Sequence, residues 1–167
     1  GVCTEENCRR MIESCHTCGV PVVVDPKGTD WTKYAYADYI TPNLKEINQV
    51  LAEPIHNEDR AVEVAAHYVM NQFNIRNVIV TRSEEGLSLI RDDENVHIPT
   101  KAQEVFDVSG AGDTVIAVFA MGLAGGMSPD DSAYIANLAA SVVVAKLGTY
   151  AVSREELMAV LKGEAEK

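Results

Sequence analysis

The sequence predicts an α/β fold, a mostly parallel sheet with helices on both faces. Three observations predict it. "GVPVVVD" at 19–25 and "NVIVTR" at 77–82 are short, continuous apolar runs, the pattern of strands buried on both sides. The chain between them carries apolar residues at helical spacing. Beyond residue 105, long helical stretches are bounded by cap and glycine signals.

Each element follows in order. All four cysteines, Cys3, Cys8, Cys15 and Cys18, precede the first strand, and Cys15-His16-Thr17-Cys18 ends a helix just before Gly19. C-x-x-C spacing suits zinc or redox chemistry, with Cys3, Cys8 or His16 to complete a ligand set. There is no second such pair, and the C-terminal end of a helix withholds the positive dipole that lowers a thiol pKa. Ordinary reduced cysteines are therefore the preferred reading. After the first strand, Asn43 caps a short helix through Ala52. "NEDRAVEVAAHYVMNQFN" at 57–74 forms a second helix, and the order is β-α-α-β.

"LSLIRD" and "VHIP", separated by "DDEN", predict an antiparallel hairpin at the edge or end of the sheet. A glycine turn then opens a helix through about Leu123. Ser128-Pro129-Asp130-Asp131 starts another, which ends at Gly148. Its middle, "IANLAASVVVA", is apolar nearly all round and belongs between layers. Ser153-Arg154-Glu155-Glu156 is a capping box for a last helix, and "GEAEK" reads as a frayed tail.

With 167 residues and 47% hydrophobic content, one domain around one core is expected. Twenty-five acidic residues against 14 basic ones give a net charge of −11, and no basic run interrupts them. Nucleic acid and anionic membranes are excluded as partners. "VIAVFAMGLAGGM" at 115–127 is too short to span a bilayer, so the chain reads as soluble and cytoplasmic. No secretory signal is seen, and a start at Gly1 rather than Met leaves room for an upstream segment.

No G-x-x-x-x-G-K-[ST] is present, and no G-x-G-x-x-G follows a strand. The chemistry-bearing stretch is "VFDVSGAGDTV" at 105–115, where Asp113 follows two glycines at a helix start. One reading is a helix cap. The other takes the amides of Gly110, Ala111 and Gly112 as a cradle for phosphate, with Asp113 positioned to take a proton from an attacking hydroxyl. Two polar clusters mark strand ends: Asp25-Pro26-Lys27-Gly28 with "TPNLKE" at 41–46, and "TRSEEG" at 81–86. Asn43 and Glu46 share a helix face and can hold a hydrated magnesium, or simply form a capping box.

Together these pieces resemble the ribokinase-like (PfkB) carbohydrate kinases. "DVSGAGD" at 107–113 is similar to that family's second signature, "NLKE" to its N-x-x-E, "VTRSEEG" to its nucleotide-binding strand and turn, and "ANLAA" to its late helix. Within the family, "VDPKGTDW", "TPNLKE", "VTRSEEGLSL" and "AKLGTYAVS" resemble the heptose-7-phosphate kinases. The likeness runs over nearly all of residues 10 to 162.

The resemblance implies that residues 1–167 are the C-terminal, ATP-binding half of a three-layer ribokinase-like sandwich. It implies phosphoryl transfer from ATP to heptose 7-phosphate, with Asp113 as base and Gly110, Ala111 and Gly112 at the phosphoryl charge. Asn43 and Glu46 would position Mg2+ through water, with Asp25 and Lys27 on phosphate or metal. Thr81, Ser83, Gly86 and Asn137 would line the ATP site. Asp107 and the Gly148 backbone would hold a monovalent cation such as K+, although Val108-Ser109 departs from the signature's threonine beside that aspartate. The family's sugar-binding first half and β-lid have no counterpart here, which implies association with that half or a homodimer. A non-catalytic nucleotide-binding or assembly module is the alternative.

Overall fold

The computed structural model describes residues 2–101 and 105–165. The chain divides into two compact units, residues 1–82 with 88–97 and residues 83–87 with 98–167, where composition suggested one core.

The first unit contains α1 (Glu5–Thr17), β1 (Val23–Val24), β2 (Tyr39–Ile40), α2 (Leu44–Val50), α3 (Asp59–Phe73) and β3 (Val78–Thr81), and most of β4 (Leu87–Ile90) and β5 (Asn95–Ile98). The sheet order is β1-β2-β3-β4-β5. β1 and β2 are parallel with Val23 opposite Tyr39, and β2 and β3 are parallel with Ile40 opposite Val78. β4 and β5 end the sheet as the expected hairpin, with the Arg91 amide donating to the Glu94 carbonyl at 3.1 Å. So short a connection permits only antiparallel pairing.

Two boundaries differ from expectation. β2 interrupts the β-α-α-β order with two residues, held by the Tyr39 amide on Val22 O and the Ile40 amide on Asn77 O, both at 3.1 Å. α2 stops at Val50 rather than Ala52, because the Asn48 side chain accepts from the Ile55 amide at 2.9 Å and turns the chain back. α3 presents Val62, Ala65, Ala66, Val69, Met70 and Phe73 to a core with Trp31, Ile40, Ile47 and Val78. Burying one such side chain contributes about 1.5–3 kcal/mol. Trp31 is fully buried, 5.7 Å from the Phe73 ring, and its indole N–H donates to Gly28 O at 2.8 Å.

The second unit is built on α4 (Ala111–Ala124), α5 (Pro129–Val144) and α6 (Arg154–Ala165). α4 and α5 pack closely where Gly122 meets Ser132: a Cβ at Gly122 would lie 2.6 Å from Ser132 Oγ. α5 ends at Val144, short of Gly148, because the Val144 carbonyl accepts the amides of Phe106 (2.8 Å) and Asp107 (3.2 Å). The capping box of α6 is formed: the Glu156 amide donates to Ser153 Oγ at 3.2 Å and the Ser153 amide to Glu156 Oε2 at 3.0 Å. These Ser153 bonds pull the Glu156 carboxyl down to about 2. The helix takes in residues 163–165 of the expected tail, and 166–167 lie outside the described residues. Among the described residues no helix is long and apolar enough to cross a membrane.

Candidate active site

Parallel strands bring their C-terminal ends to one edge of the sheet, where α/β proteins place ligands. In the first unit the Thr41 amide donates to Val24 O (2.9 Å) and the Thr81 amide to Pro42 O (3.0 Å), and Asn43 bridges Thr81. Residues 25–27, 41–46 and 81 are thereby gathered. Asn43 and Glu46 form the capping box, Asn43 Oδ1 accepting the Glu46 amide at 2.8 Å and Glu46 Oε2 accepting the Asn43 amide at 2.9 Å. The other Glu46 oxygen accepts Lys27 Nζ at 3.1 Å, and Lys27 also pairs with Asp25 at 2.9 Å. The bond to Asp25 is the largest influence raising the Lys27 pKa. An ammonium thus sits between two carboxylates; among the described residues no group of three or more His, Cys, Asp or Glu side chains is placed to hold a metal ion directly, and these oxygens suit magnesium only through its water.

The second unit holds the glycine turn. Asp107 Oδ1 accepts the Ser109 amide at 2.9 Å and Oδ2 the Gly148 amide at 3.1 Å. Its carboxyl is lowered, first by the bonds from Ser109 and then by the Gly148 amide. Asp107 and Gly148 do meet, the Gly148 amide donating to the Asp107 carboxylate.

Gly110 caps α4 at φ +80 with no side-chain hydrogen bond, a left-handed backbone that costs other residues about 1–2 kcal/mol. A Cβ added at Gly112 would meet nothing within 4 Å. Asp113 is exposed, and among the described residues its side chain has no hydrogen-bond or ion-pair partner. An uncapped, glycine-lined helix start suits an anion, and a carboxylate beside it can accept a proton.

The remaining predicted nucleotide residues differ in surroundings. Thr81 ends β3, half-buried, and Ser83 takes φ +53, a left-handed conformation uncommon outside glycine. Gly86 has φ +83, and a Cβ there would fall 2.1 Å from Ile98 O. Asn137 is 6% exposed and donates to Pro99 O at 2.8 Å. Gly86 and Asn137 therefore both seat the chain at 98–100.

A pfkB family carbohydrate kinase profile matches residues 1–156. The chain belongs to this family. It is 46% identical over 159 residues to the bifunctional protein HldE of Sodalis glossinidius, covering 95% of this chain and 33% of that protein. Among solved structures, Thermotoga maritima ribokinase is 30% identical with a TM-score of 0.78, covering 91% of this chain and 52% of that one. Arabidopsis thaliana ribokinase, solved with ribose and ATP, gives a TM-score of 0.84 at 23% identity, covering 95% and 53%. The fold is ribokinase-like, in part: the chain spans about a third of the curated relatives and about half of these structures.

Two features lie outside the family's motifs. The cysteine thiols are free, with Cys15 in the last turn of α1 and Cys18 at its C-cap, and burial raises the Cys8 pKa. His16, named as a possible fourth ligand, bonds Asp38 Oδ2 at 2.8 Å instead. A cavity of about 430 Å³ lined by Arg9, Glu13, Tyr36 and Asn74 includes none of the predicted site residues.

Proposed function

We propose that the protein containing this chain transfers a phosphoryl group from ATP to a hydroxyl of a sugar phosphate, turning heptose 7-phosphate into heptose 1,7-bisphosphate. The observation that carries the reading is the start of α4, glycine-lined, without a capping side chain, and bearing Asp113, which has no side-chain partner among the described residues. As the new O–P bond forms and ADP leaves, Asp113 accepts the hydroxyl proton, while the amides of Gly110, Ala111 and Gly112 face the phosphoryl charge. In the first unit, Asn43 and Glu46 hold magnesium through water, and Asp25 and Lys27 serve phosphate or metal. Magnesium supplies charge neutralisation on the phosphates. Thr81, Ser83, Gly86 and Asn137 belong to the nucleotide. Asp107 and the Gly148 backbone would hold a monovalent cation such as K+, and no step is routed through it.

The heptose acceptor rests on the motif resemblance and on relatives that share the name HldE. β1 is the end strand of the sheet, and we assign pairing there to the rest of the protein or to a second copy. A coupled ADP-release assay on the complete protein tests the acceptor. Heptose 7-phosphate should support turnover well above ribose and fructose 6-phosphate. Equal rates with all three, or none with any, would contradict it.

A further inference from the structure

Arg82 lies inside the "TRSEEG" stretch yet is only 2% exposed. A guanidinium removed from water is strongly unfavourable unless its N–H groups are met. Here four of its five N–H groups are met in the first unit. Nε donates to Asn57 Oδ1 at 2.8 Å, Nη2 to Asn57 O at 3.2 Å, and Nη1 to Asp59 Oδ1 at 2.6 Å and Ser88 Oγ at 3.0 Å. Asn57 Nδ2 returns a bond to the Arg82 carbonyl at 3.0 Å, so one asparagine grips both the side chain and the backbone of Arg82.

The network continues through Ser88 Oγ to His97 Nδ1 at 2.7 Å and from His97 Nε2 to Glu63 at 2.9 Å. The bonds thus run as one chain from Arg82 through Ser88 and His97 to Glu63. On the other side, the Thr81 amide is tied to Pro42 O, and Ser83 is left-handed. Such a backbone persists only where its surroundings over-determine it, and it gathers at ligand sites. The Arg82 clamp supplies that constraint on the peptide that follows Thr81.

We propose that Arg82 is a positioning residue for the nucleotide. Gripped by Asn57, Asp59 and Ser88, it fixes the backbone from Thr81 to Ser83 in the orientation that meets ATP. The inference rests on the reading of that turn as nucleotide-binding. It predicts a selective effect: loosening the clamp weakens nucleotide binding and leaves the sugar phosphate and the chemical step alone.

The test uses steady-state kinetics and ADP calorimetry on the complete protein, with Arg82→Met and the milder Ser88→Ala and Asn57→Ala. The expected result is a KM for Mg-ATP and a Kd for ADP raised about tenfold in Arg82→Met and about threefold in the milder variants, with the KM for sugar phosphate unchanged and kcat nearly so. Phe73→Leu, a core change, should lower Tm without moving the KM for ATP. Should Arg82→Met fail to fold, Ser88→Ala and Asn57→Ala decide. An unchanged ATP KM in folded variants, or a loss confined to kcat or Tm, would overturn the positioning role. A wild-type protein without ATP-dependent activity would instead overturn the kinase reading.

Discussion

The strand-end cluster and the glycine turn both carry acids, but they treat them oppositely. Glu46 has both oxygens engaged, one by the Asn43 amide and one by Lys27, and Asp25 is paired with the same lysine. Asp113 has no side-chain partner among the described residues, and no side chain caps the helix it opens. Acids tied into their own fold are suited to holding something in a set place. An acid without a partner among the described residues, beside a helix start where the Ala111 amide bonds Val108 O at 3.3 Å and no side chain caps the rest, can be replaced without unravelling its surroundings. On the proposed function, the difference separates residues whose loss should cost stability from one whose loss should cost rate.

The largest expected effect contrasts two glycines. Gly86→Ala should destabilise by about 2–5 kcal/mol in thermal or denaturant unfolding, since its Cβ would meet Ile98 O and adopt an unfavourable φ. Gly112→Ala should stabilise by about 0.5–1 kcal/mol in the same measurement, because nothing in the protein opposes a Cβ within the helix. Both glycines being equally costly would show that the turn is shaped by the fold rather than for a ligand.

Glu46→Ala comes next. It removes half of the capping box and the link to Lys27, and should cost about 0.5–2 kcal/mol in unfolding free energy. A neutral result would mean the cluster is not held by its own contacts.

Asp107 gives a smaller, pH-dependent effect. Its carboxyl is lowered from the ordinary 3.8 in the folded turn, so its contribution is present above about pH 3.8 and fades as pH falls through the folded value. Amide exchange at Ser109 and Gly148, corrected for intrinsic rates, should accelerate in that acid range, and Asp107→Asn should flatten the profile.

Much of this was legible from local spacing. The boxes at Asn43–Glu46 and Ser153–Glu156 need only residues three apart, and both formed as read. The hairpin and the glycine turn before α4 are equally local. What was hidden depends on distant partners. β2 has two residues, too few for any periodicity, and owes its existence to Val22 and Asn77. α5 stops where Phe106 and Asp107 take the Val144 carbonyl, nearly forty residues away in sequence. Lys27 joining Asp25 to Glu46 is another long-range event. Arg82 carries no such signal, because arginine ordinarily lies at the surface and no local pattern marks one that is enclosed.

Asp113→Asn should change stability least, by less than about 0.5 kcal/mol, as expected for an exposed side chain without partners among the described residues. The same variant tests the central claim most directly. With kcat and ADP affinity measured on one preparation of the complete protein, kcat should fall by roughly 10²–10⁴ while the Kd for ADP stays within about threefold. A kcat close to wild type, or an equal loss of binding and turnover, would contradict the assignment of Asp113 as the base.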